Sequence, residues 1–384
     1  MRIAHIITRM IIGGAQENTL LCCRDLMNTF GDDVLLICGP EQGPEGTLLR
    51  EVESSGIPLE IIPSLQRAVH PLRDMAAYWQ LKSLLRRYRP EVVHTHSAKG
   101  GILGRLAAWK CGIPAIVHTV HGAPFHDYQH FVPRTLIRWC ETYAAGRCHA
   151  LVSVADAMTE QFVRHAVAPR DRFTTIYSGM EVEMFLEADR YRESSRDRLG
   201  YEARHIVIGK VARLFHLKGH EYLIRAAGEL VAQRSDVRFL LVGDGILRGQ
   251  LRKQINRAGL GEFFQFVGLV DPARIPEYLA AMDIVVHTSL REGLARVLPQ
   301  ALLVGRPVVS YDIDGAGEVV LPGRTGFLIP PRSVEALSSS LGALAEDPDL
   351  RDRMASAGRR LCEQRFRHQV MAAQLRDLYL RVLT

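Results

Sequence analysis

The chain has 384 residues, 47% hydrophobic and 23% charged, a balance that leaves room for two domains with large cores and excludes a disordered or fibrous chain. Its net charge of +6 is mixed along the sequence; that suits an anionic ligand or a lipid surface, and without a basic stripe of interleaved aromatics it argues against a nucleic-acid reader. No apolar run reaches the roughly eighteen residues a spanning helix needs, and seven cysteines without a C-x-x-C pair point to reduced thiols in the cytosol.

The N-terminal MRIAHIITRM lacks a signal-peptide pattern and reads as a first strand. In chain order, short apolar runs predict strands at 2–7, 33–39, 58–63, 91–96, 115–120 and 150–155, then at 205–212, 237–244, 263–268, 283–289 and 307–312. These are continuous Val/Ile/Leu runs rather than alternating ones, as expected of strands buried on both faces. Helical patterns separate them, so the expected fold is α/β, with two doubly wound Rossmann-like domains. The polar, irregular stretch 178–204 carries the join, giving domains at 1–180 and 181–368. The last helix, 369–384, has no strand after it and is expected to pack back onto the first domain. Ligands of such sheets sit at the carboxyl ends of strands, so a site in a cleft between two facing domains is expected.

Gly13 and Gly14 end the loop after the first strand, with a helix expected from about Ala15. Missing side chains there let backbone N–H groups approach a phosphate, although a plain tight turn explains a glycine pair equally well. In KVARLFHLKG, Arg213 ends a strand and Lys218 follows on the loop, two cations placed to clamp a diphosphate. EGLARVLPQA follows the strand at 283–289. Glu292, Gly293 and Leu294 then lie on a loop, and Pro299 fits only within a first helical turn, so that helix should start near Ala295 or Arg296. The backbone N–H groups of Arg296 and Val297 would face the ligand, with Gln300 one turn further on.

GGAQ, RLFHLKG, VGDG and EGLARVLPQALLVGRPVVSYDIDGAGEVV form an ordered series over nearly the whole chain. It resembles glycosyltransferase family 4, the retaining GT-B enzymes that use nucleotide-sugar donors. VHTHSAKGGILGRLAA and VHTVHG look like the capsule and exopolysaccharide branch of that family. IYSGMEVEMF resembles its segment before the interdomain linker, with Ser178 and Glu181 where Asn and Asp are usual. The resemblance implies that Arg213 and Lys218 hold the donor pyrophosphate, that Glu292 contacts hydroxyls of the donor sugar, and that Gly14 lets the first domain close on the phosphate. His121 matches a family histidine near the transferring sugar. Gln300 stands where the second acid of a Glu-x7-Glu pair, the usual ribose ligand, is expected.

The resulting expectation is a metal-independent hexosyltransferase without a cofactor. It would move a sugar from a nucleotide donor, UDP foremost, to a glycan or lipid-linked acceptor in cell-surface polysaccharide or glycoconjugate synthesis. It would work in the cytoplasm, at the inner face of the membrane, where YWQLKSLLRRYRP and PFHDYQHFVPRTLIRWC could rest on anionic lipid. Specificity would depend on loops such as 122–131. A sugar-nucleotide epimerase on the same fold and a degenerate donor-binding partner are the alternatives. Asp312 and Asp314 form a D-x-D that a metal could use, and His94, His96, His118 and His121 gather imidazoles that could suit zinc. Glu318 lies in the same glycine-rich loop, and the sequence does not resolve its role.

Overall fold

The computed structural model describes residues 1–40, 46–126 and 128–384; Asp127, within the loop 122–131, lies outside them. The chain divides into two compact units, Met1–Met180 with Phe366–Thr384, and Glu181–Arg365.

The first unit carries strands β1 (Arg2–Ile6), β2 (Asp33–Cys38), β3 (Leu59–Ile61), β4 (Val92–His96), β5 (Ala115–Val120), β6 (Ala150–Ser153) and β7 (Phe173–Thr175). They form one parallel sheet in the order β3-β2-β1-β4-β5-β6-β7. Every residue of β4 and β5 is buried, as helix cover on both faces requires. The second unit carries β8 (Ile206–Val211), β9 (Val237–Val242), β10 (Phe264–Gly268), β11 (Ile284–His287), β12 (Val308–Tyr311) and β13 (Gly326–Ile329), parallel in the order β10-β9-β8-β11-β12-β13. The predicted α/β architecture is observed. Two strands were not predicted. β7 and β13 have three and four residues and lie at sheet edges; only Phe173 is apolar in the first, and the second offers no more than Phe327, Leu328 and Ile329.

The strand order reverses its course between β1 and β4 and between β8 and β11, and each reversal opens a crevice at the carboxyl edge of its sheet. The C-terminal boundary falls at Arg365/Phe366 and not after residue 368. Met180 donates its backbone N–H to the Phe366 carbonyl at 2.8 Å, and a Cβ on Gly179 would lie 2.4 Å from the His368 Cα. The terminal helix, His368–Leu383, packs on the helix Gly14–Asn28. His368 Nδ1 meets the Asp25 carboxylate at 2.6 Å and Arg376 Nε meets that of Asp32 at 3.0 Å.

Candidate donor site and a histidine chain

Beyond β8 the chain runs over the carboxyl edge of its sheet and is tied to neighbouring strand ends. Leu214 donates its N–H to the Asp244 carbonyl at 2.9 Å, and Leu290 donates to the Leu217 carbonyl at 2.8 Å. The Thr288 hydroxyl donates to the Gly219 carbonyl at 2.7 Å. Gly219 has φ +65°, and a Cβ there would stand 1.9 Å from the Thr288 carbonyl oxygen. Only glycine lets the loop cross the end of β11 so closely before the helix His220–Val231 begins.

That crossing brings Lys218 to Glu292. Lys218 Nζ donates to Glu292 Oε1, with the two side chains 20% and 22% exposed. His287 Nε2 lies 3.6 Å from the same oxygen. Burial alone would raise the Glu292 pKa, but the Lys218 charge and then His287 outweigh it and hold the carboxyl below the usual carboxylate range, ionised at neutral pH. Burial pushes His287 down, so its ring is neutral. Asp314 accepts the backbone N–H of Glu292 at 2.6 Å, and Gly315 donates to the Gly293 carbonyl at 3.0 Å. Asp314 thus orients the Glu292 loop, and Asp312 beside it is exposed.

Arg213 is exposed and borders the Lys218 loop, its guanidinium 5.1 Å from the centre of the Phe215 ring. The helix after Glu292 runs Val297–Leu303, starting one or two residues later than predicted. The Ala295 and Arg296 carbonyls accept its first bonds, from the N–H groups of Leu298 and Gln300. Gly293 and Leu294 form the bend before it. Gln300 is half-buried on this helix, and among the described residues its side-chain amide makes no hydrogen bond.

In the first unit the helix after β1 starts at Gly14, not Ala15, with Gly13 as its extended N-cap at φ 175°. Backbone geometry at Gly13 therefore does not demand glycine. A Cβ would meet only the flexible end of Gln16, at 2.7 Å. His121 directly follows β5 and is half-buried. Its Nε2 lies 3.1 Å from His96 Nδ1, and His96 Nε2 lies 3.0 Å from His5 Nδ1. The nitrogens of His94 meet Tyr379 and Thr119, and His118 Nδ1 meets Thr95 at 2.9 Å. Ligand atoms of His5, His94 and His96 lie within 4.8 Å of one another, but both nitrogens of His94 and of His96 are already engaged by protein groups. The cluster does not fit zinc, which would have to break these bonds to gain three ligands.

Two family models match this chain. The glycosyl transferase 4-like domain covers residues 13–179, and glycosyl transferases group 1 covers 192–361. The chain belongs to glycosyltransferase family 4. It is 28% identical over 350 residues to the UDP-Gal:alpha-D-GlcNAc-diphosphoundecaprenol alpha-1,3-galactosyltransferase of Escherichia coli, spanning 90% of this chain and 88% of that one. It is 23% identical to the capsular polysaccharide biosynthesis glycosyltransferase CapM of Staphylococcus aureus, over 80% and 82% of the two chains. The structure of Anabaena Alr3699/HepE in complex with UDP superposes with a TM-score of 0.84 at 23% identity, covering 99% of this chain and all of that one. This transferase therefore has the GT-B type of fold and is an enzyme acting on a nucleotide sugar.

Three groups of the transferase escaped the sequence reading. Lys210 is fully buried, with Nζ 2.8 Å from the Thr288 hydroxyl; burial, and after it the Lys218 charge, lowers its pKa to about 7. His287 and His5 are likewise buried on strands. The overlooked signal is common to all three, a lone titratable residue inside a continuous apolar run, where a charge costs several kcal/mol unless it is paired or neutralised.

Proposed function

We propose that this glycosyltransferase is a retaining, metal-independent hexosyltransferase moving a sugar from a UDP-sugar to a glycan or lipid-linked acceptor at the inner face of the cell membrane. The observation that carries the reading is the Lys218–Glu292 pair held at the β8/β11 switch point beside the Arg213 loop. A lysine has three donor hydrogens, so it can hold Glu292 and still face a diphosphate. As the glycosidic bond breaks, negative charge grows on the leaving phosphate, and preorganised cations stabilise it. Lys218 and Arg213 take that task; Glu292, kept ionised, accepts hydrogen bonds from sugar hydroxyls. The leaving phosphate takes the acceptor proton on the same face, which retains the anomeric configuration, and His121 is assigned to the transferring sugar. Support for UDP and for a lipid-linked acceptor comes from the UDP bound in the Anabaena protein and from the donor and acceptor in the name of the Escherichia coli relative.

The test is to incubate purified protein with UDP-hexoses and a lipid-linked or oligosaccharide acceptor, with and without EDTA. The anomeric configuration of the product is then read by NMR. EDTA-insensitive transfer with retention supports the reading. Inversion or loss of transfer in EDTA overturns it, epimerised donor without acceptor identifies the epimerase, and binding without turnover identifies the non-catalytic partner.

Gln300 replaces a carboxylate with an amide at the proposed ribose contact. Bonds to charged groups contribute roughly 1.5–3 kcal/mol and neutral ones about 0.5–1.5. Gln300→Glu should therefore tighten UDP binding several-fold, on the order of 1 kcal/mol, by calorimetric titration. Unchanged or weaker binding would take the side chain off the ribose.

Support for the membrane comes from two helices packed against Ala98–Lys110. Phe131–Ala145 exposes Phe131, Val132, Leu136, Trp139 and Tyr143, and Pro71–Tyr88 exposes Leu72, Met75 and Trp79. Arg86, Arg87 and Arg89 are exposed nearby in sequence. Among the described residues no helix is long and apolar enough to cross a membrane. Such a surface suits interfacial docking, with each basic residue near anionic lipid worth about 1 kcal/mol. Flotation with anionic vesicles should carry the protein. Neutralising Arg86, Arg87 and Arg89, or replacing Leu136 and Trp139 by serine, should release it. Indifference to anionic lipid ends this part of the proposal.

A further inference from the structure

We propose that His5 and His96 form a buried positioning chain that holds His121 as its Nδ1–H tautomer, so that His121 meets its ligand as a hydrogen-bond donor and not as a base. The ligand assignment rests on the function proposed above; the tautomer assignment does not.

The argument is a count of hydrogens. His5 and His96 are completely buried, and burial holds His5 down at about 3 and His96 well below its ordinary value, so both are neutral and each carries one N–H. His96 touches a histidine nitrogen at each end, at 3.0 and 3.1 Å, and so donates at one end and accepts at the other. The chain therefore runs in one direction. In the outward direction, His5 Nδ1–H donates to His96 Nε2 and His96 Nδ1–H donates to His121 Nε2, which leaves the His121 hydrogen on Nδ1. In the inward direction every hydrogen reverses, and the last one sits on His5 Nε2.

That atom decides between them. His5 Nε2 is buried and has no hydrogen-bond partner among the described residues. The adjacent ring of His94 has both nitrogens committed to Tyr379 and Thr119 and offers it no acceptor. A buried N–H without an acceptor is rarer and costs more than a bare lone pair, so the outward direction is favoured. The His5 and His96 rings are nearly parallel, at 12°, with centres 5.3 Å apart, the arrangement of two imidazoles joined edge to edge by an N–H···N bond. A donor at His121 also matches the proposed chemistry, in which the leaving phosphate and not a side chain removes the acceptor proton.

The test uses the full chain labelled with 15N-histidine. Long-range proton–nitrogen correlations report each tautomer, and His121→Asn assigns the signal. The expected result is the Nδ1–H pattern for His121 at neutral pH. His96→Leu, which keeps the bulk but removes both nitrogens, should shift His121 to Nε2–H or to exchange between tautomers. His96→Asn, whose amide N–H stands where Nδ1–H was, should restore the Nδ1–H pattern. An Nε2–H pattern in the unaltered protein overturns the proposal, as does a His121 tautomer indifferent to His96→Leu; either reading needs only folded protein. Addition of a UDP-hexose separates the two claims: a His121 signal with the expected tautomer but no response to donor leaves the chain standing and removes the ligand role.

Discussion

Replacing Lys218 with alanine should lower kcat by about 100-fold or more in a chain that still folds. The expectation follows from what the side chain does in two states. Without ligand, its ammonium neutralises Glu292, a carboxylate only 22% exposed. In the reaction it faces the charge growing on the leaving phosphate, and loss of one preorganised contact of that kind costs roughly 10²–10³ in turnover. The substitution also leaves Glu292 with neutral His287 as its remaining near partner, so a bare carboxylate would face an incoming diphosphate and KM should rise as well. Lys218→Arg keeps the charge but not the compact head and should recover part of the activity. Steady-state kinetics with a UDP-hexose, alongside a melting curve for each variant, decide the matter. Near-normal transfer by folded Lys218→Ala would remove the residue from the phosphate site.

The second large effect is on stability. Arg105 and Glu141 are almost wholly buried, with Nη2 to Oε2 at 2.7 Å, and Arg105 Nε donates to the Gly101 carbonyl at 2.9 Å. The pair pins the helix Phe131–Ala145, which exposes Phe131, Trp139 and Tyr143, to Ala98–Lys110. Removing one partner of a buried pair typically costs about 3–5 kcal/mol, because the other charge is left without compensation. Glu141→Ala should show that loss in urea unfolding, all the more because Arg105 Nη1 already has no hydrogen-bond partner among the described residues. Replacing both residues with apolar ones of similar size should restore much of it. Full stability in Glu141→Ala would mean that Arg105 finds another acceptor.

Much of this architecture was readable from local pattern. Eleven strands stood out because buried parallel strands need continuous apolar runs, and the placement of Arg213, Lys218 and Glu292 at strand ends followed from those strands. The missed edge strands are too short for such runs: Phe173–Thr175 is only partly buried along its length, and Gly326–Ile329 supplies three apolar side chains. The start of the helix at Val297 was misplaced by a residue or two because the bend at Gly293–Arg296 takes its bonds from tertiary neighbours. The hydrogen bond from Glu292 to Asp314 is invisible in a D-x-D spacing, which carries no information about which backbone it faces.

The sequence by itself determined the fold class, the strand ends at which polar residues cluster, and the kinds of chemistry those residues can perform. It could not determine which of them meet. Lys218 and Glu292 are 74 positions apart, and His5 and His96 are 91 apart, so each contact exists only because parallel pairing sets β8 beside β11 and β1 beside β4. Nor could it place the boundary at Phe366 or show which groups engage the nitrogens of His94. Both depend on the register that brings Met180 to Phe366 and Tyr379 to His94. Hydrophobic periodicity is a local property of the chain, whereas ion pairing, tautomer and proton affinity depend on distance and burial, and those arise only when the sheets close.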